Sequence, residues 1–334
     1  MLLAFTLTAG AGGATAYALY SRIDANITAV DLSPLLGPDR PTRNGKGTNI
    51  ALIGSDTRSG SNSSYGTGLT GAQSDSLLVL HLSENRDWAT VVSFPRDSWV
   101  RIPSCELGGG KTSKPQSGKI NKAYALGNSA GGAAGGAACA IKTLEHNTGL
   151  YIDHYIDVDF SGFKEVVDAV GGVRMCLPEA VNDIKARVSL PAGCQSMDGE
   201  SALGYARARY SLGDGSDIGR ISRQQQLMRA LVGAVQNKKF DAAAMYRLAD
   251  SATSSLTVDP GLSGIGPLAK LGQSVSSLPT DRLSFITVPN YPREVDVPSD
   301  KANVVWKKSA SQKLFTALQE DSEPEGSGSD SAGR

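Results

Sequence analysis

Arginines are concentrated in one short stretch of a chain whose charges otherwise cancel. The stretch GYARARYSLGDGSDIGRISRQQQ (204–226) contains Arg207, Arg209, Arg220 and Arg223. The 334 residues carry 33 basic and 33 acidic side chains, a balance that argues against a nucleic-acid-binding protein. Because guanidinium groups bind phosphate oxygens in a fork and stay charged, the stretch predicts a binding site for an oligoanion.

Local periodicity indicates that some of these arginines point into the protein. Arg220 and Gln224 lie four residues apart on a helix predicted from Ile221, and they continue its apolar stripe. A buried guanidinium needs an anionic partner, because burying it unpaired is costly. Asp217 could supply that partner within the chain, whereas a bound phosphate or pyrophosphate would neutralise several arginines together.

The segment YARAR (205–209) follows a short predicted helix. If the segment is extended, Tyr205, Arg207 and Arg209 project to one side and the alanines between them to the other. A surface strand could show the same pattern for solubility alone. Beside an inward-facing Arg220, the pattern favours the oligoanion site.

Two aspartates and an arginine should meet at one edge of a sheet. Three short apolar runs predict consecutive antiparallel strands: 49–54, 75–82 and 88–95. Asp56 then follows the first strand, Asp75 begins the second and Arg96 follows the third. Aspartates are common in turns, but a pair of carboxylates beside phosphate oxygens suits Mg²⁺. The alternatives for Arg96–Asp97 and Lys119 are a surface ion pair and a solvated lysine.

The remaining pattern predicts one folded domain of mixed α and β structure. Further elements are a helix in 159–172, a strand in 173–181, a helix over 241–249 and a strand over 282–289. Helices and strands mixed in this way indicate an α/β or α+β sandwich. The expected organisation is a stalk over 22–47, a folded domain over 48–320 and a disordered tail over 321–334.

The N-terminus and the cysteines indicate the compartment. The first twenty residues are uncharged and about long enough to cross a bilayer, so we expect a transmembrane anchor over 1–21. A cleaved signal peptide is the alternative, although no basic region precedes the apolar run. Cys105, Cys139, Cys176 and Cys194 lack CxxC spacing and predict disulfides. Disulfides imply an oxidising compartment, so the folded domain should lie outside the cytoplasm.

Four cysteines allow three pairings, and sequence alone does not choose among them. We expect the sequential pairing, with Cys105–Cys139 closing a Gly- and Ser-rich loop and Cys176–Cys194 closing a hairpin. Motifs of other enzyme classes are absent from the sequence: there is no GxxxxGK[ST] loop, no GxSxG elbow and no zinc spacing among the histidines.

The ordered motifs resemble those of the LytR-CpsA-Psr family of bacterial cell-envelope proteins, over roughly residues 48–236. The motifs are GSDTR, SDSLLVL, SFPRDSWV, KINKAYALG, YARARY and DIGRISRQQQ. The resemblance implies a membrane anchor, a three-layer α/β/α sandwich around a central mixed sheet, and a hydrophobic tunnel for a polyprenyl chain. It also implies a phosphotransferase that moves a glycopolymer from a polyprenyl-pyrophosphate donor to peptidoglycan through a phosphodiester bond, with Mg²⁺ assisting.

The same resemblance assigns roles to individual residues. Asp56 and Asp75 are the implied metal ligands. The implied pyrophosphate-binding residues are Arg58, Arg96, Lys119, Arg207, Arg209, Arg220 and Gln224, with Arg58 and Arg101 the weaker matches. The implied catalytic residues are Arg96, Asp97, Arg207, Arg209, Asp217 and Arg220. The predicted helix containing Phe163 and Val167 is a candidate wall of the tunnel.

The cysteines and the alanine-rich loop resemble actinobacterial members, which implies arabinogalactan or a similar polymer as the glycan. Asp75 and Asp97 are candidates for the general base that activates the acceptor hydroxyl. Two other functions would use the same site: a polyprenyl-pyrophosphate hydrolase, and a lipid-phosphate-binding protein without catalytic activity. The sequence does not separate the transferase from the hydrolase.

Overall fold

The computed structural model describes residues 21–44, 46–55, 74–208, 217–237, 246, 249–251, 253 and 256–325. Several expected features lie outside these residues: Asp56, Arg58, Arg209, the proposed anchor up to residue 20, most of 241–249, and the tail beyond 325.

Short strands make up much of the described chain. The strands are β1 (Thr28–Ala29), β2 (Thr48–Ser55), β3 (Ser74–Leu82), β4 (Ala89–Ser93), β5 (Trp99–Ile102), β6 (Glu106–Gly108), β7 (Lys111–Thr112), β8 (Gln116–Lys119), β9 (His154–Asp159), β10 (Val173–Leu177), β11 (Val181–Asp183), β12 (Val188–Leu190), β13 (Gly193–Met197), β14 (Leu256–Val258), β15 (Leu283–Thr287), β16 (Asn290–Pro292) and β17 (Val304–Trp306). The helices are α1 (Ser33–Leu36), α2 (Asn121–Thr148), α3 (Phe160–Ala169), α4 (Gly199–Arg207), α5 (Asp217–Asn237), α6 (Ile265–Ser276) and α7 (Lys308–Gln319).

Seven of the strands form a central mixed sheet in the order β1-β14-β9-β2-β3-β4-β15. Strand β3 is antiparallel to β2 and to β4, as the three apolar runs predict. Strand β2 is parallel to β9, and β4 is parallel to β15. The carboxyl ends of β2, β9, β4 and β15 therefore meet the amino end of β3 at one edge, called here the polar edge.

Helices cover both faces of this sheet, so the predicted α/β class is confirmed. Alternate residues of β2 separate the two sides: Ala51 and Ile53 belong to a core cluster with α2 and α7, and Ile50 belongs to a second cluster. The second cluster includes Met228 of α5 and Leu271 of α6. The two layers are called below the α2 face and the α5 face.

The region expected to be a Gly- and Ser-rich loop before Cys139 is helical instead. Helix α2 spans it with a break at Gly132, whose φ of 61° is accessible to glycine without strain. The two halves of α2 pack together through Gly127 and Gly135, where an added Cβ on Gly127 would lie 2.0 Å from the Gly135 carbonyl oxygen. Low helix propensity is overridden because the absence of side chains permits this close backbone contact.

Both disulfides have the expected sequential pairing. Cys105–Cys139 joins the segment after β5 to α2, and both residues are buried. Cys176–Cys194 joins β10 and β13 at directly opposed positions of their antiparallel ladder. These two strands carry the β11–β12 hairpin between them, and together they form a side lobe next to α3, α4 and α5.

Parts of the expected stalk and tail pack against the domain. Strand β1 pairs in parallel with β14, and Leu36 of α1 is buried in the core cluster of the α2 face. At the other end of the chain, the Asp321 carboxylate lies 2.9 Å from Nε2 of buried His81. The domain limits themselves stay a prediction.

Candidate functional site

Four charged side chains meet at the polar edge of the sheet. Nη1 of Arg96 donates to the Asp75 carboxylate at 3.1 Å, and Nζ of Lys119 donates to the Asp97 carboxylate at 2.6 Å. The Arg96 Nε atom lies 3.8 Å from the second Asp97 oxygen, which links the two pairs. All four side chains are between 19% and 29% exposed, so an incoming ligand can still reach them.

Local folding explains how these residues meet. Asp75 is the second residue of β3, and Arg96 and Asp97 lie in the turn after β4, which is closed by the Ser98 amide donating to the Pro95 carbonyl at 2.9 Å. Lys119 arrives from β8, because the β5–β8 ladder pairs it with Trp99. The prediction that Asp75 and Arg96 share one edge is confirmed.

Helix α5 carries two buried arginines, and the first of them, Arg220, reaches this edge. It begins at Asp217, four residues before the predicted start. Arg220 is 4% exposed and its Nη2 donates to the Asp75 carbonyl at 3.5 Å. Arg223 is 7% exposed and donates to the Ala208 carbonyl, and its burial lowers the pKa of the guanidinium. The inference that Arg220 points inward is confirmed.

The extended conformation considered for YARAR is wrong, because α4 continues through Arg207. Its N-terminus is capped by the Asp198 carboxylate, which accepts from the Ser201 amide at 2.8 Å, and small residues allow it to pack closely. Gly204 contacts Val188 so closely that an added Cβ would lie 2.7 Å from the valine Cβ. Helical phase rather than strand alternation therefore sets the direction of Arg207.

Arg207 nevertheless lies near the polar edge. Its guanidinium carbon is 4.8 Å from the centre of the Phe160 ring, and Phe160 follows the carboxyl end of β9. Gln224 donates to the Ala206 carbonyl at 3.5 Å, which joins the end of α4 to the start of α5. Gln225 donates to the Ser93 hydroxyl at 3.0 Å and so ties α5 to the end of β4.

Other expected site residues are not part of this cluster. Asp56, Arg58 and Arg209 lie outside the described residues, and nothing is described of the Asp217 side chain. Arg101 is exposed on β5, with its backbone carbonyl accepting from Asn147 at 2.7 Å.

A buried carboxyl group below the polar edge was not singled out from the sequence. Asp157 of β9 accepts a hydrogen bond from the Tyr124 hydroxyl at 3.0 Å, and burial raises its pKa to about 6. Its signal in the sequence is weak: Asp157 alternates with Ile156 and Val158 in HYIDVD, as an exposed strand residue would. Only the layer above, formed by α2, turns this side of β9 into an interior.

Apolar side chains on the α5 face continue from the polar edge. Leu52, Leu78 and Ile156 are half-buried, with Met228 of α5 packed against the same cluster. The α3 helix, considered as a tunnel wall, packs elsewhere: Val167 is fully buried in the side-lobe cluster. This half-buried row is called here the apolar strip.

The described residues contain no group of three or more His, Cys, Asp and Glu side chains arranged to hold a metal ion. Asp75 is the one expected metal ligand whose side chain is described, since Asp56 lies outside. No helix within the described ranges is both long and apolar enough to cross a membrane.

Comparison with known proteins identifies the family of this chain. The LytR_cpsA_psr family model matches residues 15–320. The chain belongs to this family. It is 30% identical over 307 residues to the probable cell wall biosynthesis protein LcpB of Corynebacterium glutamicum, covering 89% of this chain and 66% of that protein. It is 32% identical over 235 residues to the polyisoprenyl-teichoic acid–peptidoglycan teichoic acid transferase TagU of Bacillus cereus, covering 66% and 65%. The chain thus spans just under two thirds of these relatives' lengths.

Solved structures have the same fold. The LytR-Csp2A-Psr enzyme from Actinomyces oris superposes with a TM-score of 0.62 at 22% identity, covering 88% of this chain and 96% of that one. TagV of Bacillus subtilis superposes with a TM-score of 0.61 at 25% identity, covering 84% and 99%.

Proposed function

We propose that this LytR_cpsA_psr member is a phosphotransferase of cell-wall assembly. It would attach a glycopolymer from a polyprenyl-pyrophosphate-linked donor to peptidoglycan through a phosphodiester bond. The observation that carries the proposal is Arg220, a guanidinium only 4% exposed whose Nη2 lies 3.5 Å from the Asp75 carbonyl. Such a cation beside an apolar strip fits a lipid headgroup with two phosphates.

The names of the relatives support the substrate class. TagU of Bacillus cereus is named for transfer of teichoic acid from a polyisoprenyl carrier to peptidoglycan, and LcpB of Corynebacterium glutamicum for cell wall biosynthesis. A pyrophosphate at the polar edge would have its lipid chain along Leu52, Leu78 and Ile156, because the strip begins where the charged residues end. The glycan would extend from the other phosphorus toward solvent.

In the proposed reaction, the oxygen of an acceptor hydroxyl attacks the phosphorus that carries the glycan. A P–O bond forms to the acceptor, and the bond to the bridging oxygen breaks, so that polyprenyl phosphate leaves with the electron pair. The hydroxyl proton passes to a carboxylate at the edge, for which Asp75 and Asp97 are the described candidates. Arg96, Lys119, Arg207 and Arg220 would stabilise the charge on the phosphate oxygens.

Proposed roles for the remaining expected residues follow the family resemblance. Gln224 and Arg209 would hold the pyrophosphate with Arg58, and Asp217 would orient the neighbouring arginines. Mg²⁺ fits the chemistry, since one or two carboxylates plus phosphate oxygens are its usual ligands. Asp75 would hold the ion together with Asp56, and the ion would neutralise charge on the phosphates.

We also propose that residues 1–21 form a membrane anchor and that the folded domain is extracytoplasmic. The two disulfides support an oxidising compartment. An anchor would keep the polar edge close to a donor that is itself embedded in the bilayer.

Incubation of the full chain with lipid-linked glycan, Mg²⁺ and peptidoglycan tests the reaction. We expect a phosphodiester conjugate with the wild-type chain and none above background with Asp75→Ala. Release of polyprenyl phosphate without any conjugate would identify a hydrolase instead. Tight retention of intact donor, with or without Mg²⁺, would identify a non-catalytic lipid-phosphate-binding protein.

A further inference from the structure

The two-stranded ribbon β5–β8 and its surrounding loops have a strong local excess of positive charge. In the stretch 98–122, five side chains are basic and one, Glu106, is acidic, although the chain as a whole is neutral. The basic residues are Arg101, Lys111, Lys114, Lys119 and Lys122. Apart from Lys119, all of these are exposed, and none has a carboxylate within salt-bridge distance among the described residues.

The register of the ribbon places part of this charge on one surface. Trp99 is opposite Lys119 and Arg101 is opposite Ser117, so these four residues project to the same side. The intervening Val100 and Ile102 are buried in the core cluster of the α2 face. The ribbon therefore has one packed side and one outer side, and the outer side begins at Lys119 of the polar edge.

The ribbon and the apolar strip belong to opposite faces of the central sheet. The packed side of the ribbon belongs to the cluster of the α2 face, whereas the strip belongs to the α5 face. In a phosphoryl transfer, the attacking and leaving oxygens lie roughly in line on opposite sides of the phosphorus. A lipid phosphate that leaves along the strip therefore requires the acceptor to approach from the side of the ribbon.

We infer that the outer side of β5–β8, with Arg101 on it and the exposed Lys114 two residues before β8, docks the acceptor, a glycan strand whose peptide stems carry free carboxylates. This inference rests on the proposed function. Cations spaced along an extended ribbon complement carboxylates repeated along a strand, and Lys119 marks the end where the acceptor hydroxyl meets Asp97. The alternative occupant, the glycan of the donor, is attached to the phosphorus and does not need to come from the in-line direction.

Charge reversal tests the docking surface without disturbing its fold. The Arg101 backbone is held by Asn147, which donates to its carbonyl at 2.7 Å, so the side chain can change while the ribbon stays in place. The test variant is Arg101→Glu with Lys114→Glu. The matched control is Arg174→Glu with Lys313→Glu, an exposed arginine of the side lobe and an exposed lysine of α7.

The probe is soluble, uncross-linked peptidoglycan bearing its peptide stems, and binding to the full chain is measured without donor. We expect the test variant to bind about ten-fold more weakly, the control within about two-fold of wild type, and the wild-type affinity to fall with added salt. Strands stripped of peptides by an amidase should bind wild type and test variant equally weakly.

Equal binding of intact strands by the test variant and the wild type would overturn the inference. So would a loss of affinity for the donor glycan that leaves strand binding unchanged. Donor turnover tests the proposed reaction separately. If the charge-reversed variant loses strand binding but the wild type turns over no donor, the docking surface is supported and the transferase reaction is refuted.

Discussion

The two faces of the central sheet are packed very differently. On the α2 face, Ala51, Val79 and Val92 are completely buried beneath α2 and α7. On the α5 face, Leu52 and Leu78 remain half-buried near the polar edge, and α6 has no buried residue. Close packing is what interiors normally reach, so an incompletely covered apolar row beside charged side chains indicates a place for a ligand rather than for the core.

Burial on the α5 face decreases along the strands toward the polar edge. On the α5 face, Ile50 and Leu82, which lie far from the polar edge, are buried as deeply as the other face. Exposure increases only at the next positions toward Asp75 and Arg220. The α5 face is thus a core at one end and a surface at the other, and the transition coincides with the arginines.

The largest expected effect comes from the arginine at this transition. Arg220→Ala should lower donor turnover by about 100- to 1,000-fold, because a preorganised cation on the phosphates is lost. Arg220→Lys should recover part of it, since the charge returns without the fork. Steady-state kinetics with lipid-linked donor measures this. The control is Arg229→Ala, an exposed arginine on the same helix, and equal losses in both variants would contradict a role specific to the edge.

Leucine truncations on the two faces should separate stability from donor binding. Leu144→Ala removes a fully buried side chain of α2 and should cost about 3–5 kcal/mol of unfolding free energy. Leu78→Ala on the apolar strip should cost about 1–2 kcal/mol and raise the KM for the lipid-linked donor, because lost lipid contact adds to a small packing loss. Urea unfolding and kinetics check the pair. Similar stability losses with an unchanged KM would mean that both faces are ordinary core.

The disulfides offer a smaller contrast of the same kind. Cys105 and Cys139 are buried against the α2 face, whereas Cys176 and Cys194 are exposed on the side lobe. A mild thiol reductant should therefore open Cys176–Cys194 first, with alkylation and mass spectrometry as the measurement. Replacing Cys105 and Cys139 by alanine should cost about 2–4 kcal/mol, more than replacing the exposed pair, because the loop closed is longer. Preferential opening of the buried pair would refute this order.

The smallest expected effect concerns the buried acid of the α2 face. Burial raises the pKa of Asp157 to about 6, above its value in the unfolded chain, so the folded state holds the proton more tightly. Its contribution to stability is present at low pH and is lost as the pH rises from about 4 to about 6. Asp157→Asn should remove that loss and raise the unfolding free energy at pH 7 by about 1–3 kcal/mol. Urea unfolding at pH 4.5 and pH 7 measures this effect. If the unfolding free energy changes between the two pH values by the same amount in Asp157→Asn as in the wild type, the raised pKa of Asp157 is contradicted.

Sequence reasoning reached the polar edge because hairpins and strand ends are local. The apolar runs 49–54, 75–82 and 88–95 predicted three antiparallel strands, and strand direction alone brought Asp75 and Arg96 together. Sequence reasoning failed where tertiary packing determines the secondary structure. The glycines and alanines before Cys139 looked like a loop, and the end of YARAR looked like a strand, because the close contacts of Gly127 with Gly135 and of Gly204 with Val188 are not visible in the sequence.

Residues such as Asp157 and Arg223 show a second reason. Their burial depends on which helix lies above them, and alternation in HYIDVD gives the same pattern for an exposed face as for a covered one. The inward direction of Arg220 was predicted correctly because the apolar residues of a helix show which of its faces is buried, and Arg220 lies on that face. The position of Arg207 over Phe160 depends on where α4 ends, and the sequence does not mark that end.

The contact between Gly127 and Gly135 has a consequence for how this protein tolerates change. The two halves of α2, the helix that carries Tyr124, are in contact through their backbones, so no side chain can change its rotamer to make room for an added group. Single substitutions at these two glycines should accordingly almost all prevent folding, whereas Gly131 a few residues away, where an added Cβ would meet nothing within 4 Å, should accept most side chains.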